Sequence, residues 1–314
     1  MGLFTRSFVV DLGTSTTQVY ERGAGVVLDE PSLVAVDKPG GKILAVGNAA
    51  KSLAEKNPDS VIIIKPLSNG AVSDYDITRA MIKSFLGKCP TSLGKPSIKV
   101  VLSGGITEVE KRAVREAFIS AGAKNVSFVN KALVSAFKAG VSQDKSGSMV
   151  IDIGGGTTEL ALLSFGGVIS SKSIKVGGDS FDNAIKEYIR KDHGIIIGIK
   201  SAENIKCSLD TVGDGEIAVN GRDIKSGLPK TVFLCSAQVK DAIRNCIIQI
   251  SDMADNMLQE APADLVADVK DKGIVITGGG GRLSGICSFM ENRLNIAVRF
   301  AEENIDFIKY PEGE

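Results

Sequence analysis

The chain has 314 residues, 43% hydrophobic and 5% aromatic, with 37 Lys plus Arg against 37 Asp plus Glu. That length holds one large domain or two ordinary ones around an aliphatic core, and the even charge balance gives no reason to expect nucleic acid as a partner, short of a local basic patch. A single histidine and five scattered cysteines (Cys89, Cys207, Cys235, Cys246, Cys287) exclude zinc-ligand spacing and a histidine-based triad.

Scattered thiols fit a reducing cytoplasm, and no run reaches transmembrane length or reads as a signal peptide. In chain order, residues 1–6 miss a myristoylation pattern because Arg6 stands where a hydroxyl is required. Leu3 and Phe4 open the first strand, fray, or touch a membrane surface. Residues 8–20, FVVDLGTSTTQVY, read as a strand, a Gly/Thr turn and a second strand. Residues 23–37 give two strands turning at Pro31, and KPGGK at 38–42 leads into a further strand. A short helix over 49–56 and a strand over 61–64 complete a small β-rich insert. Ile77, Met81, Ile82 and Phe85 fall at helical spacing within 74–87. A polar loop at 88–95 precedes a strand at 98–102. Thr107 and Glu110 form a capping-box pattern for a helix that stops at Gly122. A strand over 126–129 and a helix over 132–138 lead to a polar connection, 141–148, where the domain boundary is expected.

Residues 149–163, MVIDIGGGTTELALL, again read as strand, turn and strand, followed by a strand over 167–176. A helix over 180–193 carries Phe181, Ile185, Tyr188 and Ile189 on one face. Ser201 is placed to cap a short helix over 202–209, and 211–234 read as a second β insert with turns at GDG and NGRD. The longest amphipathic helix, 236–260, is lined by Val239, Ile243, Ile247, Ile250, Met253 and Met257, a core stripe. Residues 273–281, GIVITGGGG, run one more strand into glycines, a strand follows at 296–300, and 311–314 fray. Alternating strands and helices imply α/β layers in two similar domains. The first is 1–140, with an insert at about 31–63, joined by 283–314; the second is 141–282, with an insert at about 177–234.

The segments at 8–20 and 149–163 share one plan: strand, Asp, apolar residue, Gly, Thr-rich turn. Glycine removes the β-carbon that would hold a phosphate off the backbone, and threonine hydroxyls add donors. Asp11 and Asp152 suit a hydrated divalent cation of the kind held by one carboxylate and several waters. Either segment alone reads equally well as a Gly-rich hairpin. Their repetition, with a third glycine turn, points to a nucleotide in a cleft between two half-molecules.

On these residues the chain resembles the actin-like ATPase superfamily of actin, sugar kinases and heat-shock chaperones, and within it the MreB family of bacterial rod-shape cytoskeletal proteins. The likeness runs from about Ser7 to about Ala301. Beyond the turns it rests, in order, on GVVLDEPSLVAV from Gly25, KPLSNGAVSDYDIT from Lys65, TEVEKRAVREAFISAGA from Thr107, SGSMVIDIGGGTTELALLS from Ser146, IKVGGDSFDNAI from Ile174, SAENIK from Ser201 and TGGGGRLSGI from Thr277. The resemblance implies two ribonuclease-H-like α/β domains with ATP and Mg²⁺ between them. It assigns Asp11 and Asp152 to the metal. Gly13, Thr14, Ser15 and Thr16 become the first phosphate loop, and Gly154, Gly155, Gly156, Thr157 and Thr158 the second, with Thr158 also orienting the attacking water. Glu203 and Lys206 go to the ribose and adenine, and Gly278, Gly279, Gly280 and Gly281 to the adenosine loop. Without the resemblance, Glu203 and Lys206 read as a solvated helix face. It further implies head-to-tail filaments, a cytoplasmic location extending to the inner face of the membrane, and a role in cell shape. MreB paralogues and membrane proteins of cell-wall synthesis are the implied partners.

Three departures stand out. The family has Glu-Glu-Pro where this chain has Asn130, Lys131 and Ala132, so that Lys131, by register from Gly140, takes the water-polarising position. A protonated lysine accepts no hydrogen bond, and slow or absent hydrolysis is expected. The alternative is that Lys131 points to solvent and another group positions the water. The chain stops soon after 296–300, where the family adds a closing helix, which is expected to expose apolar surface. The family's membrane loop maps near 91–95, where only Leu93 is bulky. A non-hydrolysing scaffold co-assembling with an ordinary MreB is the second reading. A small-molecule kinase on the same fold is a third, without a candidate general base. A chaperone would need a peptide-binding domain.

Overall fold

Two five-stranded mixed sheets, one in each of two lobes, organise the computed structural model, which describes residues 6–21, 23–56, 59–90, 94–141, 145–212 and 215–301. In the first lobe, β1 (Ser7–Leu12), β2 (Thr16–Glu21) and β3 (Gly25–Pro31) form an antiparallel meander. β4 (Val34–Asp37), β5 (Ile43–Val46), α1 (Asn48–Lys56) and β6 (Val61–Ile64) build a separate small sheet in the order β5-β4-β6. A short hairpin, β7 (Leu67–Ser68) and β8 (Ala71–Val72), precedes α2 (Tyr75–Lys88), β9 (Ser97–Leu102), α3 (Glu108–Ser120) and β10 (Asn125–Asn130). The main sheet runs β10-β9-β1-β2-β3, with β9 parallel to both β1 and β10. Phe8, Val10 and Leu12 alternate inward from β1 and meet Met81, Ile82 and Phe85 of α2 and Val114 and Phe118 of α3 in one core.

The second lobe holds α4 (Lys131–Lys138), β11 (Ser148–Ile153), β12 (Thr158–Ser164), β13 (Gly167–Ile174), α5 (Gly178–Asp192), β14 (Ile195–Ile196) and α6 (Ile199–Val212). It continues with β15 (Glu216–Asp223), β16 (Pro229–Cys235), α7 (Ser236–Glu260), α8 (Ala263–Lys272), β17 (Ile274–Thr277), a 3-10 turn (Gly279–Arg282), α9 (Ile286–Leu294) and β18 (Val298–Phe300). The main sheet runs β13-β12-β11-β17-β18, and β11 and β12 are buried along their whole length.

Several sequence expectations are corrected here. Ala132 and Ala136 of α4 pack with Val150, Ala161, Leu163 and Val275, so the chain joins the second lobe's sheet at Lys131, ahead of the connection at 141–148. Ile286, Met290 and Val298 belong to the second lobe's core, and β18 pairs with β17, so 286–300 do not return to the first lobe. Residues 302–314, and with them the rest of the expected closing segment, lie outside the described residues, as do Leu3, Phe4 and Leu93. Ser201 sits inside α6 and does not cap it, because the helical bonding already starts with Ala202 N donating to Gly198 O. NGRD lies within β15, where Asn220 pairs with Thr231. The strand turns instead beyond Asp223, whose carboxylate accepts from the Lys225 and Ser226 amides. Most of GDG lies outside the described residues.

The capping box of α3 is present in full. Glu110 N donates to Thr107 Oγ1 at 3.3 Å and Thr107 N donates to Glu110 Oε2 at 2.7 Å. The bonds from the Thr107 backbone, then from its side chain, hold the Glu110 carboxyl below the usual glutamate range against the opposing effect of burial. Thr107→Ala is expected to cost about 1 kcal/mol in urea unfolding at neutral pH. Because the folded pKa is depressed, Glu110's contribution is full above the unfolded value of about 4.3 and is lost as pH falls through the folded value. The stability gap between wild type and Glu110→Gln should therefore narrow below that point.

Candidate functional site

The same turn is built twice, once in each lobe. β1 returns as β2 with Leu12 opposite Thr17 as its last pair, and β11 returns as β12 with Ile153 opposite Thr158. Gly13 N donates to Thr16 O at 3.2 Å and Gly154 N to Thr157 O at 2.9 Å, so the first amide of each turn closes the hairpin. The rest of both turns lines a shared cleft.

The two turns lie almost in contact. A β-carbon on Gly155 would stand 2.0 Å from Ser15 Oγ, and one on Gly156 would stand 2.6 Å from Thr14 Oγ1. Only glycine allows that approach. Between the lobes the cleft encloses about 590 Å³, within the range of small-molecule sites. It brings together Asp11, Gly13, Thr14, Ser15, Thr16, Lys131, Asp152, Gly154, Gly155, Gly156, Thr157, Glu203, Lys206, Gly278, Gly279 and Gly280. Gly278 has φ +84°, and a β-carbon there would lie 2.5 Å from Asp152 Oδ1, which keeps the third glycine turn against the second acid. Lys206 is not a solvated side chain: it pairs with Asp182 at 2.7 Å and donates to the Gly178 carbonyl at 3.2 Å.

Two expected site residues do not reach the cleft. Thr158 is fully buried and its hydroxyl donates to the Val176 carbonyl at 2.7 Å, so it has no face for a water. Strand parity is the reason: Thr157, one residue earlier, takes the cleft side. Gly281 is buried against Ile276 and Phe300, and its amide closes the 3-10 turn on Gly278 O.

One face of α4 supplies what the sequence reading did not anticipate. Lys131, Ser135 and Lys138, at helical spacing, turn toward the two acids. Lys138 is 5% exposed, with Nζ 3.3 Å from Asp11 Oδ2 and 3.5 Å from Gln18 Oε1. Ser135 Oγ donates to Asp152 Oδ2 at 2.5 Å. Lys131 is half-buried in the cleft, its ammonium 3.6 Å from where a Gly154 β-carbon would sit, which removes the solvent-facing alternative. Burial pulls the Lys131 pKa down, but Asp152 and then Asp11 outweigh it and leave the group above the usual lysine value. Burial likewise pushes Asp11 up, but Lys131 and then Lys138 outweigh it and hold the carboxyl below the usual range.

The expected magnesium seat at Asp11 and Asp152 does not fit this arrangement. Asp11 is already engaged by an ammonium, and Asp152 by a hydroxyl with a second ammonium nearby. Among the described residues no group of three or more His, Cys, Asp or Glu side chains is placed to hold a metal ion.

An unanticipated carboxylate joins the lobes. Glu159, 1% exposed on β12, accepts from the Ser103 hydroxyl and, at 3.4 Å, from Gly104 N of the first lobe. It also accepts from Ser173 Oγ at 2.7 Å. Its only signal in the sequence is a charge inside the apolar run TELALL. Lys138 was detectable only as a lysine seven residues beyond Lys131.

A protein-family comparison matches residues 5–310 to the family described as MreB/Mbl protein. The cell shape-determining protein Mbl of Bacillus subtilis is 38% identical over 318 residues, spanning 99% of this chain and 96% of that protein. Crystal structures of MreB5 of Spiroplasma citri bound to AMPPNP and to ADP each superpose with a TM-score of 0.87 at 30% identity, covering 97% of this chain and 93% and 94% of theirs. The MamK double helical filament shares the fold at a TM-score of 0.80 and 18% identity, over 96% of this chain and 95% of that one. The two-lobed α/β architecture is thus the actin-like one.

The contact between the turns is testable without a ligand. Gly155→Ala drives a methyl group into Ser15 and should part the lobes, raising the radius of gyration in small-angle scattering. Ser15→Gly in the same background should restore it. An unchanged radius in the single variant would show that the turns do not set the lobe spacing.

Proposed function

Because the chain belongs to the MreB/Mbl protein family, we propose that it is a cytoskeletal filament subunit that binds ATP between its lobes and turns it over slowly or not at all. The observation that carries this reading is the pair of matched glycine turns, one from each lobe, meeting across a cleft of about 590 Å³. Its likeness to MreB5, a relative solved with AMPPNP and with ADP, supports a nucleotide as the occupant. In this reading the turns at 13–16 and 154–157 receive the phosphates, and Glu203, Lys206 and the glycines at 278–280 surround the nucleoside. Two domains, meeting where β10 passes into α4, close on the ligand together.

Hydrolysis requires a group that holds the attacking water with a lone pair. Lys131 offers three donors and no acceptor, and its neighbouring acids keep it protonated. Its role here is to hold phosphate. The nucleotide bridges both lobes and biases them toward one relative angle, and subunits in that form stack head to tail in an open polymer. The MamK filament, which has the same fold, supports a polymer as the output. By likeness to Mbl, the polymer serves cell shape and the organisation of cell-wall synthesis in the cytoplasm, at the inner face of the membrane. Its partners in this role are other MreB-family subunits and membrane proteins of wall synthesis. Among the described residues no helix is long and apolar enough to cross a membrane. Lys131 also favours a second reading, a non-hydrolysing subunit that grows only with an active paralogue.

Phosphate release at saturating ATP should be near background, and Lys131→Glu should raise it by at least tenfold, since one water- or charge-positioning contact is typically worth about 10²–10³ in rate. A wild-type rate equal to that of Bacillus subtilis Mbl, assayed in parallel, would overturn the slow-turnover reading. Light scattering with ATP, alone and with added Mbl, separates the two assembly readings by whether the chain polymerises unaided. Cys207 is exposed at the cleft, whereas burial and then Glu21 push the buried Cys89 thiol up to about 11. Alkylation should therefore reach Cys207 first, and ATP should slow that reaction alone.

A further inference from the structure

We propose that this cleft takes its nucleoside triphosphate without a divalent cation, with the ammonium groups of Lys131 and Lys138 standing in for the metal's positive charge. The inference rests on the ATP reading above and concerns how that site balances charge. In an ordinary triphosphate site a hydrated cation lies between protein carboxylates and phosphate oxygens, neutralising both. Here two ammoniums from this chain already stand beside the two acids, in the place that cation would take. Lys138 reaches from α4 into the buried space beside Asp11, 3.3 Å from its Oδ2, and is 5% exposed.

A cation seated on Asp11 would have to share that carboxylate with a buried ammonium, and like charges so close repel, or else displace the ammonium from its partner. Lys131 stands at the other acid, with its Nζ beside the Gly154 turn, where a phosphate held by that turn would lie. An ammonium has three donors and binds phosphate as a point charge, so Lys131 can face Asp152 and a phosphate oxygen together. Seven residues along an α-helix span about 10 Å, so the two lysines serve separate positions rather than competing for one. Two neutral groups each touch one member of the charged set, Ser135 of α4 the Asp152 carboxylate and Gln18 of β2 the Lys138 ammonium, and the Glu159 carboxylate adds a further negative charge that favours the Lys131 ammonium. Magnesium dehydrates reluctantly and demands near-octahedral geometry, which makes it a poor competitor for an acid that a fixed lysine already holds.

The test is equilibrium binding of ATP to the full chain by calorimetry, in buffer with excess MgCl₂ and in buffer with EDTA. Wild type should bind in both, with Kd values within about threefold of each other. Lys138→Gln frees Asp11 and should bind ATP at least about tenfold more tightly with magnesium than without it. It should also bind Mn²⁺ alone, where wild type binds none. Lys131→Met serves as the second variant, and should weaken binding in EDTA more than in magnesium. ATP binding to wild type only in magnesium would overturn the inference and leave the nucleotide reading standing. No ATP binding in either buffer would overturn both. The wild-type comparison decides the point even if a variant fails to fold.

Discussion

The approach of two glycine turns across the interlobe gap is the constraint on which the rest of the molecule depends. Gly155 lies where any side chain would strike Ser15, and Gly156 where it would strike Thr14. Each turn is fixed by its own hairpin bond, and each hairpin is fixed at the middle of its sheet by a parallel neighbour, β9 for β1 and β17 for β11. The sheets therefore position the turns, and the turns set how closely the lobes can meet. Everything at the cleft, from the acids that end the central strands to the third glycine turn, takes its place from that contact.

The second organising feature is electrostatic, and it is carried by one short helix. α4 belongs to the second lobe by packing, through Ala132 and Ala136, yet its opposite face reaches the first lobe through Lys138 and Asp11. Buried ion pairs are weak contributors to stability, because desolvation offsets most of the attraction. Their value is in specifying geometry. A charge pair with one partner in each lobe favours one interlobe arrangement over its neighbours, since parting the lobes would strand both charges in a poorly hydrated space. The same helix thus connects the lobes mechanically and sets the charge that any ligand will meet.

Much of this was legible in the sequence wherever the signal was local. The two hairpins, Asp11, Asp152, the capping box at Thr107 and the long stripe of α7 all follow from spacing within a dozen residues. Thr158 illustrates where local reading ends. Strand parity decides which of two adjacent threonines faces the cleft, and a shift of one residue reverses the answer. Lys138 and Glu159 were hidden for a different reason. A charged residue on a helix or strand reads as solvated until a distant segment is known to cover it, and here Asp11 and Ser103, respectively 127 and 56 positions away in sequence, do the covering. The allegiance of α9 and β18 was likewise a long-range matter, settled by contact with α7 and β17. The helix α8, of which only Val269 is buried, has too narrow an apolar stripe to announce itself.

Glu159 and Lys65 bridge the lobes under unequal conditions. The Lys65–Asp179 pair at 2.7 Å leaves 41% and 27% of its side chains in contact with water, and exposed pairs of this kind are worth about 0–1 kcal/mol. Glu159 is sealed among Ser103, Gly104 and Ser173, and stripping partners from a buried acceptor costs about 1–3 kcal/mol or more. The first attachment is worth less than the second. The outer tie between the halves is thus the looser one, and the sealed serine-bound carboxylate the firmer.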